Sequence, residues 1–230
     1  MKNYITKKAI IVLSGGLDSC VTTAIARAEG YELALLHLNY GQRTEARELQ
    51  AFNDIADFYD IGHRLVTDIS YLAAIGGSSL TDKSMAVEEA EIDQARQAVP
   101  STYVPFRNGN ILSIAVSWAE VIHATDIFIG AVEEDSSGYP DCREIFYDKF
   151  NALLACGLPE GVRIQVGAPL IHLSKAQIVQ RGIELGAPLH LTWSCYQGEA
   201  AACGICESCR LRLRGFEQAG VKDPIKYLIR

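Results

Sequence analysis

The stretch that most constrains the fold of this 230-residue chain is IVLSGGLDSCVTTAIARA, at residues 11–28. A short β-branched run ends in serine, two glycines and a carboxylate, and apolar residues then resume at helical spacing. This pattern predicts a buried strand, a tight turn and a helix. Such an order directs free backbone N–H groups and the positive end of the helix toward an anion. The stretch does not follow GxxxxGK[ST], so it lacks the lysine of the common phosphate-binding loop. The alternative is a Gly-Gly turn with only a capping role.

The rest of the chain alternates short β-branched runs with longer helical patterns. Predicted strands cover residues 9–13, 32–40, 63–69, 126–132 and 162–170. Predicted helices cover residues 44–59, 110–124, 144–157, 174–186 and 209–220. Because parallel strands need crossover helices, the alternation predicts an α/β doubly wound fold with a parallel five-stranded sheet covered on both faces.

The chain divides into a predicted nucleotide-binding domain at 1–190 and a C-terminal subdomain at 191–230. Residues 76–100 are polar, acidic and weakly periodic, which indicates an insertion. Two interpretations remain open for it, a mobile lid over the strand ends and a solvated surface loop.

Composition narrows the function classes. Apolar residues make up 49% of the chain and charged residues 21%, which is typical of a protein with a sizeable core. The 21 basic and 28 acidic residues give a net charge of −7, and no Lys/Arg run is present. This balance argues against binding of a nucleic-acid backbone and favours small-molecule chemistry. No apolar run approaches the ~18 residues of a membrane span, and AIIVL is too short for a signal peptide. We therefore expect a cytoplasmic protein with no membrane partner.

Four of the seven cysteines lie close together near the C-terminus, at Cys195, Cys203, Cys206 and Cys209. Two overlapping CxxC units followed by a helix are typical of metal binding in a cytosolic chain, and four thiolates suit a structural Zn²⁺. An iron–sulfur cluster and a redox dithiol are the alternatives. Of the other cysteines, Cys20 and Cys156 are predicted core residues on helices, and Cys142 is predicted to be exposed in a loop.

Polar groups concentrate in the loops that follow the predicted strands, where ligands bind in an open parallel sheet. Arg43 in NYGQR and Arg107 in VPFRNG are candidates for a carboxylate or phosphate. Lys175 in PLIHLSK begins a helix and is a candidate for neutralising phosphate. The acidic loop GAVEEDSSGYPDCRE has carboxylates that accept from a purine-like ring and Tyr139, which can stack on it. Surface ion pairs and a solvated acidic turn are the alternatives.

SGGLDS resembles the pyrophosphate-binding loop of the N-type ATP pyrophosphatases (the PP-loop superfamily), whose pattern is SGGxDS after the first strand. The ordered set SGGLDS, NYGQR, VPFRNG, GAVEEDSSGYPDCR, PLIHLSK and TWSCY leading into CGICESC is far more specific. Over nearly the whole chain it is similar to the 7-cyano-7-deazaguanine synthase family of queuosine biosynthesis. The resemblance implies a Rossmann-like, adenine nucleotide alpha hydrolase-like fold with a small zinc-binding tail.

The resemblance also implies an activity. A member of this family converts 7-carboxy-7-deazaguanine and ammonia into the nitrile with ATP, through an acyl-adenylate and an amide. The loop would hold ATP pyrophosphate with Mg²⁺ near Asp18, through Leu13, Ser14, Gly15, Gly16, Leu17, Asp18, Ser19 and Cys20. Arg107 and Lys175 would act with Asp18 in catalysis. The deazaguanine would be bound by Arg107, Glu133, Asp135, Ser137, Tyr139 and Asp141.

The same resemblance makes the four tail cysteines the ligands of one structural zinc per chain, and a homodimer the expected assembly. Two alternative functions share part of this prediction. One is a tRNA-thiolating PP-loop enzyme, which would be expected to have a basic face and working sulfur-transfer cysteines. The other is a zinc-stabilised nucleotide-binding regulator without catalysis.

Overall fold

The computed structural model describes residues 7–87, 99–133 and 138–228. Its centre is one five-stranded sheet in the order β3-β2-β1-β4-β5, with every neighbouring pair parallel. The strands are β1 Lys8–Val12, β2 Glu32–Asn39, β3 Arg64–Asp68, β4 Asp126–Ile129 and β5 Gln165–Gly167. The predicted parallel five-stranded α/β sheet is confirmed.

Seven α-helices lie in the described ranges. They are α1 Leu17–Ala28, α2 Glu45–Phe58, α3 Tyr71–Ile75, α4 Arg107–Ile122, α5 Glu144–Gly157, α6 Lys175–Glu184 and α7 Glu207–Gln218. Two 3₁₀ turns are formed by Pro140–Cys142 and Leu189–Leu191. The observed α5 matches the predicted helix at both ends. The short α3 was not predicted, and α4 begins three residues earlier than predicted, so Arg107 is its first residue.

The two faces of β1 show why its sequence is a continuous apolar run. Ile10 and Val12 pack with the α4 and α5 side chains on one face, and Ile11 and Leu13 pack with α1 and α2 on the other. Successive side chains of a strand point to opposite faces, so a strand buried on both faces has no polar position. The core therefore lies on both sides of the sheet.

The carboxyl end of β1 lies where the strand order reverses. Consecutive connections lead from β1 to β2 on one side, while β4 returns to pair with the other side of β1. In open parallel sheets this switch point is where ligands bind. Strand β4 ends at Ile129, before the predicted 132, and Gly130 follows. A Cβ at Gly130 would lie 2.7 Å from the backbone N of Ser19, so the chain passes directly against the start of α1.

The described part of the insertion is packed. Ser78, Ser79 and Leu80 are buried. Arg43 holds this segment, since its Nε donates to the Ser79 carbonyl at 2.7 Å and its Nη2 to the carbonyls of Asp82, at 2.8 Å, and Met85. The Arg43 guanidinium, a candidate for a substrate anion, therefore binds backbone carbonyls. Residues 88–98 lie outside the described residues, so the lid interpretation stays a prediction.

Two of the three predictions for the isolated cysteines were wrong. Cys20 is fully buried on α1, as predicted. Cys156 is exposed on the last turn of α5, because the apolar face of that helix is set by Tyr147 and Leu154 rather than by position 156. Cys142 is buried, because the Pro140–Cys142 turn folds back beneath the start of α4. Within the described ranges, no helix is both long and apolar enough to cross a membrane.

Candidate active site

A cleft opens at the carboxyl ends of β1, β2 and β4. It consists of two adjoining cavities, of about 270 Å³ and about 180 Å³. Their walls share residues from α1, α4 and the tail, and these include Asp18, Arg107 and Tyr196. Ser14 and Glu48 line the larger cavity, and Lys175 and Tyr139 line the smaller one.

The loop between β1 and α1 is fixed by hydrogen bonds among its own residues. The Ser14 and Ser19 hydroxyls lie 3.1 Å apart, the Gly16 N–H donates to Ser14 Oγ, and Ser19 Oγ donates to the Gly16 carbonyl. Gly15 has φ +87°, and a Cβ there would lie 2.6 Å from the Glu48 carbonyl. Only glycine fits this conformation and this close approach. The loop is therefore fixed with its hydroxyls and amides beside the cleft.

Six of the eight predicted nucleotide-loop residues line the larger cavity, and Gly15 and Cys20 do not. The larger cavity is lined by Leu13, Ser14, Gly16, Leu17, Asp18 and Ser19. Cys20 points into the core beneath α1, where burial raises the pKa of its thiol to about 12. Gly15 accepts a hydrogen bond from the Trp193 N–H at 2.8 Å, which ties the loop to the C-terminal part of the chain.

Asp18 and Lys175 form an ion pair across the cleft. Lys175 is the first residue of α6, after the N-cap Ser174, whose side chain accepts from the Gln177 N–H in a capping box. Its Nζ donates to Asp18 Oδ1 at 3.0 Å and Oδ2 at 2.9 Å. Two residues separated by 157 positions are therefore brought together at the SGGLDS loop.

Arg107 is placed by the start of α4. Its Nη1 donates to Tyr40 Oη at 3.0 Å, and its guanidinium lies over the Tyr40 ring, 5.1 Å from the centroid. Burial lowers the pKa of Arg107, but nearby Tyr40, Tyr139, Cys142 and Asp141 outweigh it and raise that pKa above its ordinary value. A fixed cation in the cleft suits a carboxylate or phosphate.

Asp141 and Asn108 hold the first turn of α4, which carries Arg107. Asp141 Oδ2 accepts from the Asn108 N–H, and the Asn108 side chain donates to the Asp141 carbonyl, both at 2.9 Å. Asp141 is 3% exposed, and desolvation raises the pKa of its carboxyl. The contacts of Asp141 are with α4 and with Tyr147 rather than with the cleft. It fixes the first turn of α4, from which Arg107 projects.

The acidic loop contributes Tyr139 to the cleft wall. Tyr139 Oη donates to Thr102 Oγ1 at 2.6 Å, and its ring lies 5.5 Å from that of Tyr103. Glu133 is exposed and accepts from the Glu144 N–H at 3.3 Å. Asp135 and Ser137, both predicted substrate ligands, lie outside the described residues.

The four tail cysteines form a compact buried cluster. Their sulfur atoms all lie within 4.8 Å of one another, and Cys203 and Cys209 are 3.9 Å apart. A tetrahedral site with metal–sulfur bonds of about 2.3 Å separates its sulfurs by about 3.8 Å, so the cluster fits one metal ion. The backbone N–H groups of Gln197, Gly198 and Cys203 donate to Cys195 Sγ, as expected for a thiolate ligand. The predicted clustering of the four cysteines is confirmed, and their sulfur positions could hold one metal ion.

Several residues of the cleft were not singled out from the sequence. Tyr40 and Glu48 come from the NYGQRTEAREL segment, and Ser194 and Tyr196 from TWSCY. The segments were recognisable as polar loops after strands, but the pattern does not say which of their side chains face the cleft. Ser208, on the first turn of α7, also lines both cavities.

These features first define a class. It is an α/β fold whose parallel sheet has an SGGLDS loop at its switch point, and this loop leads directly into a helix. A solved 4-thiouridine synthetase–RNA complex with bound ATP has this fold, with a TM-score of 0.51 and 17% identity, over 93% of this chain and 50% of that chain.

Sequence comparison then gives the family. The model of the family described as queuosine biosynthesis protein QueC matches residues 8–220. A protein of Chlorobium phaeobacteroides named 7-cyano-7-deazaguanine synthase is 60% identical over 220 residues, which are 96% of each chain. A protein of Chlorobium chlorochromatii with the same name is 59% identical with the same coverage. The chain belongs to the QueC family.

Proposed function

We propose that this chain is an ATP-dependent carbon–nitrogen ligase that makes 7-cyano-7-deazaguanine from 7-carboxy-7-deazaguanine and ammonia. The curated relatives of this name match 96% of the chain. The observation that carries the proposal is one cleft that joins the SGGLDS loop, Lys175 and Arg107. The cleft thus places groups suited to phosphate close to an arginine suited to a substrate carboxylate.

The loop end of the cleft suits the triphosphate. Backbone N–H groups at the start of α1 and the hydroxyls of Ser14 and Ser19 would bind phosphate oxygens. Lys175 would then exchange Asp18 for the departing pyrophosphate, and this exchange would free the Asp18 carboxylate. Asp18 is the residue that would hold Mg²⁺, which neutralises phosphate charge when it is bound. Carboxylate oxygen is the donor that this ion prefers.

The opposite wall suits the deazaguanine acid. Arg107 would hold the substrate carboxylate with one oxygen directed at the α-phosphate, while Tyr139 would stack on the ring. We assign Asp141 a supporting role, since its carboxylate holds α4. Asp135, Ser137 and Glu133 remain candidates for the ring N–H and amino groups.

The enzyme's contribution would be orientation and charge stabilisation. The substrate carboxylate attacks the α-phosphate, a P–O bond to pyrophosphate breaks, and an acyl-adenylate forms. Ammonia displaces AMP to give the amide. A second ATP adenylates the amide oxygen, and loss of AMP leaves the nitrile. Placing the reactants in line lowers the barrier without a covalent enzyme intermediate.

For the tail we propose one structural Zn²⁺ per chain, bound by Cys195, Cys203, Cys206 and Cys209. Four buried thiols leave no open ligand position, as in structural zinc sites. The division into a nucleotide domain at 1–190 and a zinc subdomain at 191–230 and a homodimeric assembly are part of this proposal. Light scattering tests the assembly.

The experiment is mass spectrometry of a reaction with 7-carboxy-7-deazaguanine, ATP, Mg²⁺ and ammonium. We expect the nitrile together with AMP and pyrophosphate. The Asp18→Asn variant should form none of these three products while keeping its thermal unfolding temperature. Binding of ATP without any AMP would contradict the proposal and favour a nucleotide-binding regulator.

A further inference from the structure

Glu48 is a carboxylate in the cleft that the proposed chemistry has not used. It lies on the first turn of α2 and is one of the residues that line the larger cavity, together with Ser14, Tyr40 and Arg107. Its backbone carbonyl touches the pyrophosphate loop, because a Cβ at Gly15 would lie 2.6 Å from that oxygen. Glu48 therefore lies between the phosphate-binding loop and the anion-binding arginine.

The partners of Glu48 are neutral. Thr44 Oγ1 donates to Oε1 at 2.8 Å, and Gln42 Nε2 donates to Oε2 at 3.2 Å. Within the described part of the chain, no basic side chain forms an ion pair with it. An ionised carboxylate has about four lone-pair sites, so each oxygen keeps acceptor capacity for a further donor. The side chain is thus held by two hydrogen bonds, and no ion pair compensates its charge.

The surroundings of Glu48 make it a base near neutral pH. Burial raises the pKa of its carboxyl to about 7, and this outweighs the opposing hydrogen bonds from Thr44 and Gln42 and the charge of Arg107. Glu45, on the same helix, adds to the rise. From β2, His37 faces the same cavity, where burial lowers the pKa of its imidazole and favours the neutral form.

The proposed reaction needs a group of this kind. Ammonium, the main form of ammonia at neutral pH, has no lone pair and cannot attack an acyl-adenylate. An anion that binds ammonium and accepts one proton supplies the nucleophile beside the electrophile. Arg107 is the proposed holder of the substrate carboxyl, and it shares the cavity with Glu48.

We propose that Glu48 is the ammonium-binding residue and proton acceptor of this enzyme. This inference rests on the proposed function. One N–H proton passes from ammonium to a Glu48 oxygen, and the freed lone pair forms the C–N bond with the acyl carbon. The C–O bond to AMP breaks, and its electron pair leaves with AMP. The remaining excess proton on nitrogen goes to solvent, and Glu48 returns its own proton to solvent before the next cycle.

The test separates nucleophile activation from the earlier step. Glu48→Gln keeps the size of the side chain and removes the base. ATP–pyrophosphate exchange reports adenylation without any nitrogen nucleophile. Hydroxylamine, which is uncharged at neutral pH, traps the acyl-adenylate as a hydroxamate without being deprotonated first. Glu45→Gln makes the same charge change on the same helix outside the cavity and is the matched control.

We expect Glu48→Gln to lower the ammonia-dependent rate roughly 10²-fold, the contribution typical of general base catalysis. Exchange and hydroxamate formation should stay within about twofold of wild type, which also shows that the variant is folded. Glu48→Asp should recover part of the ammonia-dependent rate. In wild type, that rate should rise as the pH passes through about 7, and the variant should lack this rise.

Three results would overturn the inference. They are a normal ammonia-dependent rate in Glu48→Gln, loss of exchange, and equal loss of amide and hydroxamate. The proposed function fails separately, if wild type itself shows no substrate-dependent exchange. The two failures are therefore distinguished by which protein lacks the exchange.

Discussion

The chain has one ion pair in the cleft and another in the tail, and a comparison of the two indicates which serves activity and which serves stability. Lys175 and Asp18 are bonded at 2.9 and 3.0 Å, and their side chains are 12% and 27% exposed. Arg212 and Asp223 are bonded at 2.7 and 3.0 Å, but their side chains are only 2% and 4% exposed. The lengths are alike, so the difference lies in what else surrounds each pair.

The tail pair is saturated by protein groups. Arg212 also donates to Thr192 Oγ1 and the Leu189 carbonyl, and Asp223 also accepts from Tyr227 Oη and the Ile225 N–H. Arg212 and the cleft pair both border the smaller cavity, but the side chains of the cleft pair are more exposed and the donors of Arg212 are taken up by protein groups. A saturated pair locks two segments together, whereas a more exposed pair at a cavity wall can exchange its partner for a ligand. We therefore expect damage to the tail to lower stability and damage to the cleft to lower activity.

The largest effect is expected at the metal cluster. In Cys206→Ser, the tail would lose a thiolate ligand whose site supplies on the order of 10 kcal/mol of folding free energy in small zinc domains. We expect zinc content to fall from about one per chain toward zero and the tail to unfold, as measured by elemental analysis and protease sensitivity. Cys156→Ser, at an exposed cysteine outside the cluster, is the control. Full zinc retention in Cys206→Ser would show that three thiolates suffice, and iron in the wild-type protein would contradict the zinc assignment.

Breaking the tail ion pair should have the next largest effect. Arg212→Met leaves Asp223 buried without its cation, which typically costs about 3–5 kcal/mol. The loss should appear as a lower urea midpoint for unfolding. The double variant Arg212→Met/Asp223→Leu removes both charges and should recover part of the loss. A single variant as stable as wild type would mean that water reaches the pair.

Lys175→Met should act on turnover rather than on stability. Removing one cation aimed at developing phosphate charge is expected to lower the rate of AMP formation roughly 10²–10³-fold. The aliphatic stem of Lys175 packs against α7, since a Cβ at Gly215 would lie 2.4 Å from Lys175 Cγ. Methionine keeps that packing, so the urea midpoint should stay close to wild type.

The exposed Lys149, on α5, gives a control with the same charge change, Lys149→Met. It should leave both turnover and stability unchanged. If Lys175→Met lost stability as Arg212→Met does, the cleft pair would be structural too, and the contrast between the two regions would fail.

Features that depend on residues close together in the sequence were predicted, and contacts between residues far apart in the sequence were not. The order of strand, loop and helix around SGGLDS and both ends of α5 were predicted, because they depend on periodicity and turn residues within one segment. The bonds of Arg43 to carbonyls 36 to 42 residues later carry no local signal. Nor does the contact of Asp141 with Asn108, 33 residues away. These side chains matched a ligand-binding pattern, and their actual partners were set by tertiary packing.

Glu48 was missed for a related reason. A glutamate in a charged amphipathic helix is usually solvated, and nothing in TEAREL indicates that the first turn of this helix lies against the SGGLDS loop. That contact depends on how α2 packs on β1 and β2. By contrast, the cluster of the four cysteines was predictable from their spacing, since three of them lie within seven residues, in the turn before α7 and on its first turn.

Glu48 provides the finest test of the comparison, because it is half-buried, has neutral hydrogen-bond partners and belongs to neither kind of pair. Its carboxyl has a pKa of about 7 in the folded chain against 4.5 ordinarily, so the folded state binds its proton more tightly than the unfolded state. This contribution to stability is present below about pH 4.5 and is lost as the pH rises through about 7. The free energy of unfolding should therefore fall by about 2–3 kcal/mol more in wild type than in Glu48→Gln between pH 5 and 8. Urea unfolding at the two pH values measures this difference, and Glu45→Gln, which removes only the smallest contribution to the raised pKa of Glu48, should keep most of the wild-type pH dependence. Parallel pH dependences in wild type and Glu48→Gln would show that Glu48 is ionised and solvated throughout, as the open cleft would allow for a residue with no catalytic task.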